Sequence, residues 1–116
     1  MRTNELDEIR RLIDESASTV FFGGAGVSTA SGIPDFRGNN GLYTVEAKYG
    51  APPEEILSRS FLYTKPETFY KYYKENMLYP CAEPNAAHLA LAELETQGKL
   101  TAVITQNIDG LHQAAG

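Results

Sequence analysis

Apolar residues first recur at Leu6, Ile9, Leu12 and Ile13, with charged residues between them, over roughly Asn4 to Glu15. Spacings of three and four place these side chains on one face of a 3.6-residue period, so the stretch predicts an amphipathic helix. The pattern then changes character. Thr19-Val20-Phe21-Phe22 is a β-branched and aromatic run that stops at Gly23-Gly24, as a short buried strand does on entering a tight turn. From Ala25 to Gly50 glycine recurs, Pro34 interrupts and no period persists, so this segment reads as largely loop. A loop of that length in a compact domain is usually functional.

Pro52-Pro53 opens a short helical segment at Glu54 to Leu57. Thr64-Lys65-Pro66-Glu67 reads as a capping box, in which a hydroxyl and a carboxylate satisfy orphan N–H groups at a helix start. Phe69, Tyr72, Tyr73 and Met77 then supply one apolar face. Pro80 and Pro84 bracket a turn, and Asn85 begins an alanine- and leucine-rich helix expected to stop near Gly98. Leu100 to Ile104 is the second strand; polar Thr105-Gln106-Asn107 follows, then a helix start around Asp109 to Ala115. No internal repeat and no dividing linker is visible. The succession predicts an α/β fold, the N-terminal part of a Rossmann-like parallel sheet flanked by helices, with one long loop. Parallel strands covered on both faces call for further neighbours, so the chain reads as the N-terminal piece of a longer protein.

Charge narrows the partners. Ten Lys plus Arg against fifteen Asp plus Glu leave a net charge of −5, which argues against direct binding to nucleic acid, where a cationic surface releases counterions. No apolar run approaches the roughly 18 residues of a membrane span. Glu5, Asp7 and Glu8 stand where a secretory signal carries basic and then apolar residues, and Cys81 has no cysteine with which to pair in the chain. A reducing, cytoplasmic setting is the simplest expectation.

Three segments carry chemistry. Gly23-Gly24-Ala25-Gly26-Val27-Ser28 follows a strand directly, where glycines let backbone N–H groups approach a pyrophosphate. Thr29 stands where a dinucleotide fingerprint has its third glycine, and a plain strand-to-helix turn reads the same residues equally well. Gly32-Ile33-Pro34-Asp35-Phe36-Arg37-Gly38 sets an apolar residue, an acid, an aromatic and an arginine in one glycine-flanked turn. Arg37 can face a phosphate and Phe36 can cover a ring; alternatively Phe36 plugs the core while Asp35 and Arg37 stay solvated. Thr105-Gln106-Asn107-Ile108-Asp109-Gly110 leaves the second strand at an end of the same polarity as the glycine loop, the edge where open α/β sheets bind ligands. Asn107 or Asp109 can equally cap the following helix.

Taken together, Gly24-Ala25-Gly26-Val27-Ser28, Gly32-Ile33-Pro34-Asp35-Phe36-Arg37 and Thr105-Gln106-Asn107-Ile108-Asp109 closely resemble the successive signatures of the sirtuins, NAD-dependent protein lysine deacylases. Pro84-Asn85-Ala86-Ala87-His88 extends the resemblance over nearly the whole chain, and Gly23 departs mildly from the threonine of many relatives. The resemblance implies NAD as cofactor and an acyl-lysine protein or peptide as substrate, the acyl group passing to ADP-ribose as nicotinamide leaves. It implies that Gly24, Ala25, Gly26 and Ser28 line the NAD phosphates and adjoining ribose, and that Asp35, Phe36 and Arg37 belong to a cofactor-binding loop that closes over NAD. Gln106 and Asn107 would contact the nicotinamide ribose, and Ile33 and Asp109 the nicotinamide, with Asp109 accepting from the carboxamide. Asn107 and Asp109 are thereby the catalytic candidates.

The family's general base is a histidine in a His-Gly segment beyond Gly116. His112 occupies another position and is expected to pack or to hydrogen-bond at a helix start, and His88 is expected to be structural. The family's zinc ribbon of two Cys-x-x-Cys pairs is likewise expected only beyond this chain, which offers no metal site of its own. Relatives that prefer acidic acyl groups resemble one another in a Tyr-x-x-Arg pair. Tyr70 is followed here by Lys71, Tyr72 and Tyr73, so an uncharged acyl group, acetyl above all, is expected. Two competing readings remain: a nicotinamide-dependent oxidoreductase using the glycine loop alone, and a non-catalytic NAD or ADP-ribose binding module.

Overall fold

The computed structural model describes residues 3–35 and 42–116. The chain divides into two compact units, one made of residues up to Asp35 together with those from Ala82 onward, the other of the segment ending at Cys81.

The first unit holds α1 (Thr3–Glu15), β1 (Thr19–Gly23), a 3₁₀ helix (Ala25–Ser31), α6 (Ala86–Thr96), β2 (Leu100–Thr105) and α7 (Leu111–Ala115). The segment between its halves carries α2 (Leu42–Tyr49), α3 (Pro53–Ile56), α4 (Arg59–Thr64) and α5 (Pro66–Asn76). β1 and β2 pair in parallel, with Val20 beside Ala102 and Phe22 beside Ile104, and one irregularity between Thr19 and Val20. Parallel pairing brings both strand ends, and the glycine and polar loops that leave them, to the same edge.

The termini of α6 fix its place. Asn85 accepts from the Ala87 N–H at 2.9 Å, while the Asn85 N–H donates to His88 Nδ1 at 3.1 Å, a reciprocal cap closed by histidine. At the other end the N–H groups of Gly98 and Lys99 donate to Glu95 and Leu94 carbonyls, both at 2.9 Å. Gly98 has φ +77°, the left-handed closure that favours glycine. Leu100 and Leu111 are buried beside this helix system.

The second unit is built on Ala51, Ile56, Phe61 and Tyr72, with Val45, Tyr49, Leu57, Phe69 and Met77 packed against them. Tyr49 meets Tyr72 edge to face at 5.0 Å. On its rim Glu75 accepts from Lys48 Nζ at 2.9 Å and from the Tyr49 hydroxyl.

The structure overturns two expectations and adds one element. The segment from Ala25 to Gly50 is not largely loop, since residues 25–31 form the 3₁₀ helix and 42–49 form α2. Its i→i+3 bonds tolerate the small residues that erase a helical period. The Thr64 capping box does not form: Thr64 is the last residue of α4, its hydroxyl donates to the Ser60 carbonyl at 2.8 Å, and α5 starts after Lys65 with no side-chain cap. Pro66 at the first helical position, pre-set in φ and lacking the donor, starts α5 without one. α4 itself was not anticipated, although Ser58 caps it by accepting from the Phe61 N–H. Among the described residues no helix is long and apolar enough to cross a membrane.

Candidate functional site

The two loops at the strand ends are tied to one another. The Gln106 N–H donates to the Gly23 carbonyl at 3.1 Å, carrying the ladder one residue past β2. Asn107 Nδ2 donates to the Gly24 carbonyl at 3.0 Å and to Ser28 Oγ at 3.3 Å, and its own N–H is held by Thr105 Oγ1 at 3.0 Å. Ser28 Oγ donates to Asp109 Oδ2 at 2.6 Å, the short length of a hydroxyl bonded to a carboxylate. Asp109 Oδ1 accepts the Leu111 N–H at 2.9 Å. Asp109 therefore does help cap α7, and does so with one oxygen while the other joins the network.

Ser28 and His88 are both only 1% exposed. Their burial follows from the way α6 straps the 3₁₀ helix: Asn85 Nδ2 donates to the Val27 carbonyl at 2.8 Å and to Ser31 Oγ at 3.0 Å. His88 Nε2 lies 3.5 Å from Ser28 Oγ, the long limit of a hydrogen bond. Burial holds the His88 pKa below its ordinary range, reinforced by neighbouring His112 and opposed by Asp109.

Gly24, Ser28, Asn107 and Asp109 thus belong to one hydrogen-bonded network, with Gln106 beside it. A Cβ at Gly24 would lie 2.8 Å from Gln106 Oε1, so a side chain there would displace the end of the Gln106 side chain, whereas a Cβ at Gly26 would meet nothing within 4 Å. Ala25 and Gly26 open the 3₁₀ helix on the same turn. Ile33 is half-buried, and its N–H donates to the Ser28 carbonyl at 3.3 Å. Asp35 is exposed and has no hydrogen-bond partner among the described residues. Phe36 and Arg37 lie outside the described residues.

His88 is structural as expected, closing the cap of α6, and with Asn85 it also touches this network. The only local trace is the spacing of a cap, an asparagine with a hydrogen-bonding side chain three residues on. His112 packs as expected, 4.9 Å from His88 and 6.0 Å from Phe21 between ring centres, but makes no helix-start bond, both ring nitrogens being buried without partners. A cavity of about 230 Å³ opens beside it, lined by Leu91, Ala92, Val103 and both histidines.

A parallel strand pair flanked by helices, with a glycine turn after one strand and a polar loop after its neighbour, is the arrangement of an open α/β unit, the class of fold that binds ligands at this edge. The sequence profile of the Sir2 family matches residues 24–116, and the chain belongs to that family. It is 53% identical over 113 residues to the NAD-dependent protein deacetylase of Clostridium acetobutylicum, covering 97% of this chain and 46% of that one. Against the protein of the same name in Clostridium tetani it is 56% identical over 108 residues, covering 93% and 44%. A Sir2 structure with a p53 peptide and NAD+ superposes with a TM-score of 0.79 at 44% identity, covering 100% of this chain and 42% of that one. A Sir2 complex with deacetylated p53 peptide and 3′-O-acetyl-ADP-ribose gives 0.81 at 50% identity, covering 96% and 43%. The chain therefore spans a little under half the length of the relatives it matches.

Proposed function

We propose that the protein carrying this chain is an NAD-dependent protein lysine deacetylase, with residues 1–116 forming part of its Rossmann-like domain and the general-base histidine, zinc ribbon and remaining sheet outside them. The observation that carries the reading is the bond from Ser28 to Asp109, because it joins the glycine turn and the polar loop into one rigid rim. When bound, NAD would supply an electrophilic ribose carbon for the acyl oxygen to attack as nicotinamide leaves, and a ribose hydroxyl on which the acyl group ends.

The residues present fit that ligand. Gly24 keeps the turn free of a side chain beside Gln106, and Gly26 leaves the space next to the turn open. Asn107 spends its amide donors on Gly24 and Ser28, so its carbonyl oxygen is the atom left to face a ribose hydroxyl. Asp109 accepts one bond on each oxygen, which fixes the carboxylate and leaves further lone pairs for a carboxamide N–H. Ile33 supplies apolar cover, and Asp35, Phe36 and Arg37 are assigned to the cofactor-binding loop. Gln106 is assigned to the ribose region. The missing arginine after Tyr70 supports acetyl over acidic acyl groups on the lysine side chain of a protein or peptide. Net charge −5 and the single Cys81 support a cytoplasmic protein that binds no nucleic acid directly.

The test is nicotinamide exchange in the intact protein. Labelled nicotinamide is expected to enter NAD only when an acetyl-lysine peptide is present, and Asn107→Ala should cut that exchange at least tenfold, on the order of one lost hydrogen bond to the reacting ribose. Exchange at the wild-type rate in Asn107→Ala would make this loop a helix cap alone.

A further inference from the structure

The hydroxyl of Ser28 is over-determined. It has one proton and two lone pairs. The proton goes to Asp109 Oδ2 at 2.6 Å, one lone pair takes Asn107 Nδ2 at 3.3 Å, and the remaining direction holds His88 Nε2 at 3.5 Å. What His88 presents there depends on its other nitrogen. The Asn85 N–H donates to His88 Nδ1 at 3.1 Å, so Nδ1 is an acceptor and carries no proton. In a neutral ring the proton then sits on Nε2, which donates to Ser28.

We propose that His88 is a positioning residue for the nicotinamide end of the site: its neutral Nε2–H tautomer turns the Ser28 hydroxyl toward Asp109, and so holds the carboxylate in the orientation that receives a carboxamide. This rests on the reading of Asp109 given above. The alternative tautomer presents a bare Nε2 that draws the Ser28 proton to itself and leaves Asp109 Oδ2 without its 2.6 Å donor. A charged ring keeps its Nε2–H but has a second proton on Nδ1 facing the Asn85 N–H, donor against donor, which breaks the cap that holds the ring 3.5 Å from Ser28.

The titratable groups facing His88 are Asp109, reached through Ser28, and His112, whose ring centre is 4.9 Å away; Glu95 of the same helix lines the adjoining cavity. Only Asp109 favours a charged imidazole, whereas burial and His112 oppose it. The neutral form is therefore the working form, and acid removes it.

The experiment uses the intact protein with 15N-labelled histidine. The His88 resonances are expected to report a neutral ring protonated on Nε2, and nicotinamide inhibition is expected to weaken as pH falls below the ordinary histidine range. His88→Asn keeps an acceptor for the Asn85 N–H but is too short to reach Ser28. Its nicotinamide inhibition constant should rise about tenfold, its pH dependence should vanish, and its KM for an acetyl-lysine peptide should hold. Ser28→Ala should give the same loss, with no further loss in the double variant. A wild-type His88 protonated on Nδ1 overturns the proposal even if the variants do not fold. So does His88→Asn inhibited as strongly as wild type while Asp109→Asn is not, a result that leaves the NAD reading standing. If Asp109→Asn is itself inhibited like wild type, the reading of Asp109 fails and the role of His88 falls with it.

Discussion

At the scale of single residues, Asp109 has two jobs that can be separated. Its bond to the Leu111 N–H is a capping interaction that asparagine can also make, while the proposed carboxamide contact calls for the carboxylate. Asp109→Asn keeps the cap but loses the charged acceptor of Ser28, so it is expected to cost about 1–3 kcal/mol of stability while weakening nicotinamide inhibition; a stability loss with inhibition retained would make the residue purely structural. Gly24→Ala places a methyl 2.8 Å from Gln106 Oε1, the far end of a flexible side chain, so the fold should survive and Gln106 should move. The expected result is a raised KM for NAD with little change in melting temperature. His88 sets a pH dependence. Its pKa in the folded state is held below the ordinary 6.5, so the unfolded chain binds the proton first as pH falls. This contribution to stability is complete above 6.5 and is lost as pH drops from there toward the folded-state value, which denaturant titrations across that window would show as a falling midpoint. His88→Asn should remove the slope.

At the scale of elements, the α6 N-terminus does more than start a helix. Asn85 caps it with Oδ1 and ties the 3₁₀ helix with Nδ2. Asn85→Asp keeps the first function and loses the second, whereas Asn85→Ala loses both. Alanine is expected to cost about 1–3 kcal/mol, from the cap and the unpaired carbonyl left at Val27, and aspartate less, as chemical denaturation would resolve. Equal losses would mean that the strap contributes nothing. The long amphipathic first helix, both strands and the Asn85-to-Gly98 helix were legible because each carries a period or a terminal signal of its own. α4 has six residues, too few for a period, and its Ser58 cap falls beside Ser60, which blurs the signal. The Thr64 box failed because one threonine cannot both end α4 and cap α5. In the site, Ser28, Asn107 and Asp109 were readable from motifs at strand ends. The part played by His88 was not, since its bond to Ser28 spans 60 residues and leaves no local pattern.

At the scale of the whole molecule, much apolar surface faces solvent. On one face of the strand pair Val20, Phe22 and Ile104 are 52%, 65% and 53% exposed, and Leu6, Ile9 and Leu12 of α1 are also exposed. A parallel pair is ordinarily covered on both sides, so these positions suit further sheet and helices such as the longer relatives have room for. Expressed alone, the 116 residues are expected to be marginally stable, to bind a hydrophobic dye strongly and to show no deacetylase turnover. A sharp cooperative melt with no dye binding would show that the exposed positions need no cover.

Product analysis reaches the proposed chemistry most directly. The intact protein is incubated with NAD and an acetyl-lysine peptide, and the products are identified by mass spectrometry. Deacetylated peptide, nicotinamide and O-acetyl-ADP-ribose are expected in equal amounts, with all three abolished together by removing NAD. Free acetate formed without consumption of NAD, reduction of NAD to NADH, or NAD binding with no turnover would each contradict the account.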